Sequence, residues 1–202
     1  MNTSKDTNCR LYILNGGLCM FNDLEMLADA ESDIYNNREK KLSITCFLVK
    51  HPKGWLLWDT GLPDELVDDP VGVDLGVLVF SVQKTLVSLI EKIGITPHDI
   101  AYLTFSHMHY DHIGNSNLFA DATFLIDEKE YKSNFNENSH MGPFYKYYNK
   151  LAESRTIKMA GIYDVFGDGC ILTIPTPGHS PGHRSLFVNL PEMNICARQI
   201  IL

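Results

Sequence analysis

"TFSHMHYDHIGN", residues 104–115, places three of the chain's eight histidines and one aspartate within six positions. For a chain of this length and histidine content, an H-x-H-x-D-H run is expected by chance on the order of once in a thousand. A divalent metal such as zinc takes neutral imidazole and carboxylate ligands, and a loop with His at i and i+2 can turn both rings toward one point. His107 and His109 have that spacing. Asp111 and His112 follow after a further turn of chain and would point to a second, adjacent position. A third ligand for the first position is offered by "IPTPGHSPGH", residues 174–183, where Pro and Gly hold a tight loop with His179 at its tip.

Outward from this stretch, the sequence alternates strand-like and helix-like segments. "IAYLTFS" reads as the strand that delivers the motif, and "RLYIL", "LSITCFLV", "WLLWDTG", "DATFLID", "DVFGDGCILTIPT" and "RSLFVNL" read as further strands, with a hairpin turn at His51–Gly54. Between 81 and 94, Val82, Leu86, Leu89, Ile90 and Ile93 share one helical face, with Ser81 placed to cap the start and Gly94 to close the end. "KEYKSNF" and "YKYYNKLAE" are expected as short helices. No repeat or linker interrupts the pattern, so residues 1–202 are read as one α/β layered domain.

Composition narrows the function. A net charge of −8 supplies no basic surface for nucleic acid, which leaves a small molecule as the expected partner. No segment is long and apolar enough to span a membrane. Five cysteines without C-x-x-C spacing suit reduced, buried thiols and a cytoplasmic setting. Single histidines such as His51, His98 and His140 are expected to be ordinary hydrogen-bonded residues. His183, four residues past His179, is expected to brace the loop, and Asp59 of "WLLWDTG" either caps a turn or supports the metal loop from beneath.

The segments "HMHYDH", "WDTGLP" and "TPGHSPGH", in this order and spacing, resemble those of the metallo-β-lactamase superfamily of metal-dependent hydrolases, and most of all its N-acyl homoserine lactonase branch. The resemblance covers about residues 10–190. It implies an αββα sandwich with two zinc ions at one edge, His107, His109 and His179 holding the first, and Asp111 and His112 belonging to the second. It also implies that metal-bound hydroxide opens a lactone ring, with Asp111 relaying a proton. Tyr110 is then either a wall of the substrate pocket or a packed aromatic. Ester, thioester or β-lactam hydrolysis would use the same ligands.

The chain departs from the family pattern after His183. The bridging aspartate expected at the following strand end, and a final histidine, have no counterpart, and Glu192 is the one acidic residue beyond that point. Five of seven expected ligands remain. The reading is therefore a sandwich incomplete at its C-terminus, holding about one zinc tightly, with little or no turnover; the alternative to an enzyme is a degenerate metal-binding homologue.

Overall fold

The computed structural model describes residues 9–21, 40–69, 71–74, 76, 78–190 and 194–197. Eight strands form the first sheet: β1 (Arg10–Phe21), β2 (Lys40–His51), β3 (Gly54–Trp58), β4 (Val73–Asp74), β5 (Leu78–Ser81), β6 (Ile100–Thr104), β7 (Thr123–Asp127) and β8 (Thr156–Met159). Their order is β4-β5-β1-β2-β3-β6-β7-β8. The second sheet, ordered β12-β11-β10-β9, contains β9 (Tyr163–Asp164), β10 (Ile171–Pro175), β11 (Arg184–Asn189) and β12 (Asn194–Ala197). The helices are α1 (Leu86–Glu91), α2 (Tyr110–Ile113) and α3 (Glu128–Asn134), with short 3-10 turns between them.

Period-2 alternation explains why the sheets stack. On β2 and β3, Phe47, Val49, Leu56 and Trp58 face the second sheet, joining Ile171, Leu186 and Val188. The intervening Cys46, Leu48 and Leu57 face the other way, onto Leu86 and Ile90 of α1. A strand sends successive side chains to opposite faces, so each becomes buried on both sides. Each fully buried Leu or Val contributes roughly 1.5–3 kcal/mol through removal of apolar area from water. The result is the layered α/β sandwich expected from the sequence. Among the described residues, the helical layer lies on the first sheet.

Two features carry the chain to the site. The β2–β3 hairpin turns at Pro52–Lys53, where Gly54 has φ +139. From β3 onward the sheet is parallel, β3 beside β6, β6 beside β7 and β7 beside β8. The ends of β3 and β6 therefore lie side by side, Trp58 opposite Thr104, and both lead into the same edge of the sandwich. Ligand sites of α/β sheets gather beyond such carboxyl ends.

The structure corrects several sequence expectations. Ser81 ends β5 and caps nothing; α1 starts at Leu86, with Thr85 accepting from Ser88 N at 3.1 Å, and Asp64 accepting from Leu86 N at 2.6 Å and from Val87 N at 3.3 Å. Those are helix N-terminal donors without intrahelical partners, so the start is set by a residue distant in sequence. Gly94 does close the segment, with φ +87. Residues 145–153 form two 3-10 turns, Tyr145–Tyr147 and Asn149–Ala152, where Asn117 accepts from Lys150 N. β8 had no counterpart in the sequence reading. Cys9, Cys19, Cys46 and Cys170 are buried as expected, but Cys196 is exposed. Glu192 lies outside the described residues.

Candidate metal centre

β6 ends at Thr104, and Phe105 and Ser106 carry the chain into the motif. His107, His109 and Asp111 follow in extended and then helical backbone, His109 standing at the N-cap of α2. This turn is held from below by the segment after β3. Thr60 N donates to His112 O at 2.7 Å, Gly114 N donates to Gly61 O at 2.8 Å, and the Asn115 amide donates to the carbonyls of Thr60 and Leu62. The backbones touch: a Cβ on Gly114 would lie 2.2 Å from Pro63 N. "WDTGLP" and "HIGN" are thus two halves of one clamp.

The three histidines expected at the first position converge. His179 Nε2 lies 3.0 Å from His107 Nε2 and 3.0 Å from His109 Nδ1. Tetrahedral zinc with bonds of about 2.0–2.1 Å to nitrogen spaces its ligands about 3.4 Å apart, so these nitrogens need to open by only a few tenths of an ångström. His107 is wholly buried, His179 half-buried and His109 exposed, which opens the site to solvent on one side. Burial, reinforced by the neighbouring histidines, holds His107 far below the ordinary imidazole range; burial likewise lowers His109 and His179. Neutral imidazole is the ligating form.

The second position is marked by orphaned atoms. Asp111 Oδ2 and His112 Nε2 are buried without a hydrogen-bond partner. They face one another at 3.2 Å, off the line of a hydrogen bond. Burial alone would lower His112, but the carboxylates of Asp59 and Asp111 outweigh it and push it up to about 10. The proton kept there stands where a cation would. Buried polar atoms that find no partner call for a missing ligand, and a carboxylate beside an imidazole is a metal donor set. The residues present therefore fit a metal at both positions, more fully at the first.

Asp59 supports both positions. It is fully buried and is, among the described residues, the non-glycine with positive φ, +60. Its carboxylate accepts from Ser106 N at 2.8 Å, from Ser106 Oγ at 3.1 Å and from His112 Nδ1 at 3.0 Å. Ser106 Oγ in turn lies 3.1 Å from His107 Nδ1. With the hydroxyl proton directed to Asp59, Ser106 Oγ accepts from His107 Nδ1–H, which leaves the His107 Nε2 lone pair facing the site. His183 is also buried; its Nδ1 donates to Thr176 O at 3.1 Å and lies 2.9 Å from Thr176 Oγ1, across the base of the loop that carries His179. Its ring centre is 5.4 Å from that of His107 and 6.2 Å from that of His179.

Tyr110 is half-buried in an aromatic group, edge-on to Phe80, stacked on Phe144 with centroids 4.8 Å apart, and tilted against Tyr147. The sequence reading missed Glu130. This buried carboxylate on α3 accepts from Met108 N at 2.9 Å, Ser180 Oγ at 2.7 Å and Gly182 N at 3.2 Å. It ties the loop holding His107 and His109 to the loop holding His179. A Cβ on Gly182 would lie 2.4 Å from Glu130 N, so the second glycine of "GHSPGH" is a packing requirement. Arg184 was missed too: its backbone N donates to Ser106 O at 2.9 Å and its buried guanidinium pairs with Asp127 at 2.8 Å.

With fold and site in place, a three-histidine cluster beside an Asp–His pair at the edge of a β-sandwich defines a metal-dependent hydrolase. The chain belongs to the metallo-beta-lactamase superfamily, whose family model matches residues 40–197. An N-acyl homoserine lactonase, AttM of Agrobacterium fabrum, is 32% identical over 200 residues, covering 92% of this chain and 73% of that protein. A crystal structure of a Bacillus thuringiensis AiiA variant with N-decanoyl-L-homoserine bound at its active site superposes with a TM-score of 0.68 at 26% identity, covering 88% of this chain and 69% of that one. AidC, described as a dizinc quorum-quenching lactonase, shares the fold at 19% identity and a TM-score of 0.65, covering 94% and 70%. Among the described residues, no helix is long and apolar enough to cross a membrane.

Proposed function

We propose that this chain is a zinc-dependent lactonase of the metallo-β-lactamase type, acting as a single domain on N-acyl homoserine lactones. The convergence of His179 Nε2 on His107 Nε2 and His109 Nδ1, 3.0 Å from each, carries the metal part of this reading. The similarity to AttM and AiiA carries the substrate part.

His107, His109 and His179 would hold the first zinc, and Asp111 and His112 the second. A bound metal supplies Lewis acidity and lowers the pKa of water toward neutrality. Water adds to the lactone carbonyl carbon, the ring C–O bond breaks, and the departing oxygen takes up a proton, giving the open N-acyl homoserine. Asp111, whose Oδ2 is buried without a hydrogen bond 3.2 Å from His112 Nε2, would relay that proton. Asp59 fixes the tautomers of His107 and His112, and Glu130 fixes the spacing of the two ligand loops. Tyr110, with Phe80, Phe144 and Tyr147, provides an apolar wall beside His109 for the acyl chain.

One observation favours a second reading. Among the described residues, Asp111 and His112 alone face the second position, too few to hold a cation firmly, which suits a protein with about one tightly bound zinc and slow turnover. The test is hydrolysis of N-hexanoyl homoserine lactone by zinc-loaded protein, with metal content measured on the same sample. Ring-opened product that re-closes on acidification supports the lactonase. Free acid plus the unacylated lactone overturns it, and absence of turnover with zinc bound supports the second reading.

A further inference from the structure

We propose that Cys9, His51 and Cys170, backed by Asp168, form a separate site for a thiophilic divalent cation such as Zn2+. Cys9 Sγ, a ring nitrogen of His51 and Cys170 Sγ all lie within 4.8 Å of one another, and all three residues are buried. Zinc bonds of about 2.3 Å to sulfur and about 2.0–2.1 Å to nitrogen place such ligands roughly 3.5–3.8 Å apart, so from a spacing within 4.8 Å the cluster needs to contract by at most about 1.0–1.3 Å. Two thiolates and an imidazole are donors of the kind zinc prefers in structural sites.

Both ring nitrogens of His51 are hydrogen-bonded, which fixes its tautomer. Its Nδ1 accepts from Lys53 N at 3.1 Å, and its Nε2 lies 2.9 Å from Asp168 Oδ2. The lone pair is therefore on Nδ1 and the proton on Nε2, directed at a carboxylate, the arrangement that orients metal-binding imidazoles. A cation would displace one of these partners: the Lys53 N–H if it bound at Nδ1, the Asp168 carboxylate if it bound at Nε2. Phe166 stacks on the ring with centroids 3.9 Å apart and planes 12° from parallel. Asp168 Oδ1 accepts from Cys170 N at 3.0 Å, joining the backing carboxylate to the second thiol's backbone.

Topology makes the site independent of the histidine cluster. Cys9 precedes β1 and His51 ends β2, both in the first sheet, whereas Cys170 precedes β10 in the second. β3 leads from the turn at His51 to Asp59, and β10 leads from Cys170 toward His179, so the two clusters lie at opposite ends of the sandwich. Five strand residues separate them, about 15 Å. A cation here would clip one sheet to the other. The two cysteines are remote in sequence, which is why no C-x-x-C spacing announces them. Binding replaces one proton on each thiol with the metal and involves no redox step.

Because the histidine cluster contains no sulfur, sulfur ligation is a specific readout. The reduced, metal-free full chain is titrated with Co2+, and zinc-loaded wild type is examined by X-ray absorption. The expected results are a near-ultraviolet sulfur-to-cobalt charge-transfer band that Cys170→Ser removes and His107→Ala retains, and a sulfur shell around zinc at about 2.3 Å in wild type. The absorption measurement needs no variant and stands even if Cys170→Ser fails to fold. Only nitrogen and oxygen around zinc, a charge-transfer band that survives both Cys9→Ser and Cys170→Ser, or a Cys9–Cys170 disulfide that forms equally with zinc present would overturn the proposal.

Discussion

Replacing Glu130 tests whether the metal centre depends on a residue that would not touch the metal. Its carboxylate accepts three short hydrogen bonds in a buried setting, one from the backbone between His107 and His109 and two from the residues that follow His179, besides a long one of 3.5 Å from Asn134 Nδ2, which also donates to Glu130 O. Hydrogen bonds to a charged acceptor contribute about 1.5–3 kcal/mol each, so Glu130→Ala, which leaves three donors unpaired, should destabilise the protein by at least about 4 kcal/mol. Glu130→Gln is the more telling change. If its carbonyl faces Ser180 and Gly182, its amide must face the Met108 N–H, donor against donor; the reverse orientation strands the other two. One lost bond costs about 1–3 kcal/mol, and it falls on the relative placement of the two ligand loops.

The expected result for Glu130→Gln is zinc affinity weakened about 10- to 100-fold, the range for groups that orient ligands. Affinity is measured by competition with a chromophoric chelator, and stability by denaturant unfolding of the metal-free chain. Leu151→Ala supplies the control. Leu151 is fully buried in the core between the first sheet and its helices, and the truncation should cost about 2–5 kcal/mol. Leu151→Ala should lower stability with little effect on the zinc affinity of folded protein. Equal losses of affinity in both variants, or unchanged affinity in Glu130→Gln, would refute the reasoning.

Among the proposed ligands, His107→Ala or His109→Ala should each remove bound zinc by elemental analysis, while His183→Ala, which loses bonds to Thr176, should reduce it less. Asp59→Asn keeps a residue type that tolerates positive φ but loses the charge that orients His107 and His112; folding should survive by circular dichroism while zinc affinity falls about tenfold or more. Thr85→Ala removes the side-chain cap of α1 and should cost about 1 kcal/mol in urea unfolding, with zinc affinity unchanged. Lactone turnover should stop when chelator has removed the metal and return on adding Zn2+; activity in protein shown to be metal-free would contradict the proposed chemistry.

How much of this could be read beforehand divides along physical lines. The candidate ligands could be picked out because metal coordination demands residue types at fixed local spacing, and His107, His109, Asp111 and His112 fall within six positions. Strands β2, β3, β6, β7, β10 and β11 were legible because burial on two faces demands continuous apolar runs. The start of α1 was not: Val82, which fits the helical period, belongs with Phe80 to the cluster at the end of β5, so one apolar spacing served two elements. β1 was read only over Arg10–Leu14, whereas it runs on through Asn15-Gly16-Gly17, where a register shift forms a bulge that lets Gly16 O accept from Leu62 N at 2.8 Å.

Glu130 and Asp168 were hidden for a different reason. Each stands in a polar segment, "DEKEY" and "FGDGC", whose composition suggests solvent, and each gains its role by reaching groups remote in sequence: Met108 and Ser180 for one, His51 for the other. Glu128, two residues before Glu130, pairs with Lys132 on the exposed face of α3, so residue type does not separate the surface carboxylate from the buried one. What separates them is which face of α3 meets the two ligand loops, and that is decided by the packing of the parallel strands β6 and β7 and the second sheet. The candidate ligands are a local property of the sequence, but their spacing to within a few tenths of an ångström is a property of the whole sandwich. Mutations far from the motif should therefore act on metal affinity through Glu130 and Asp59 before they act on any ligand.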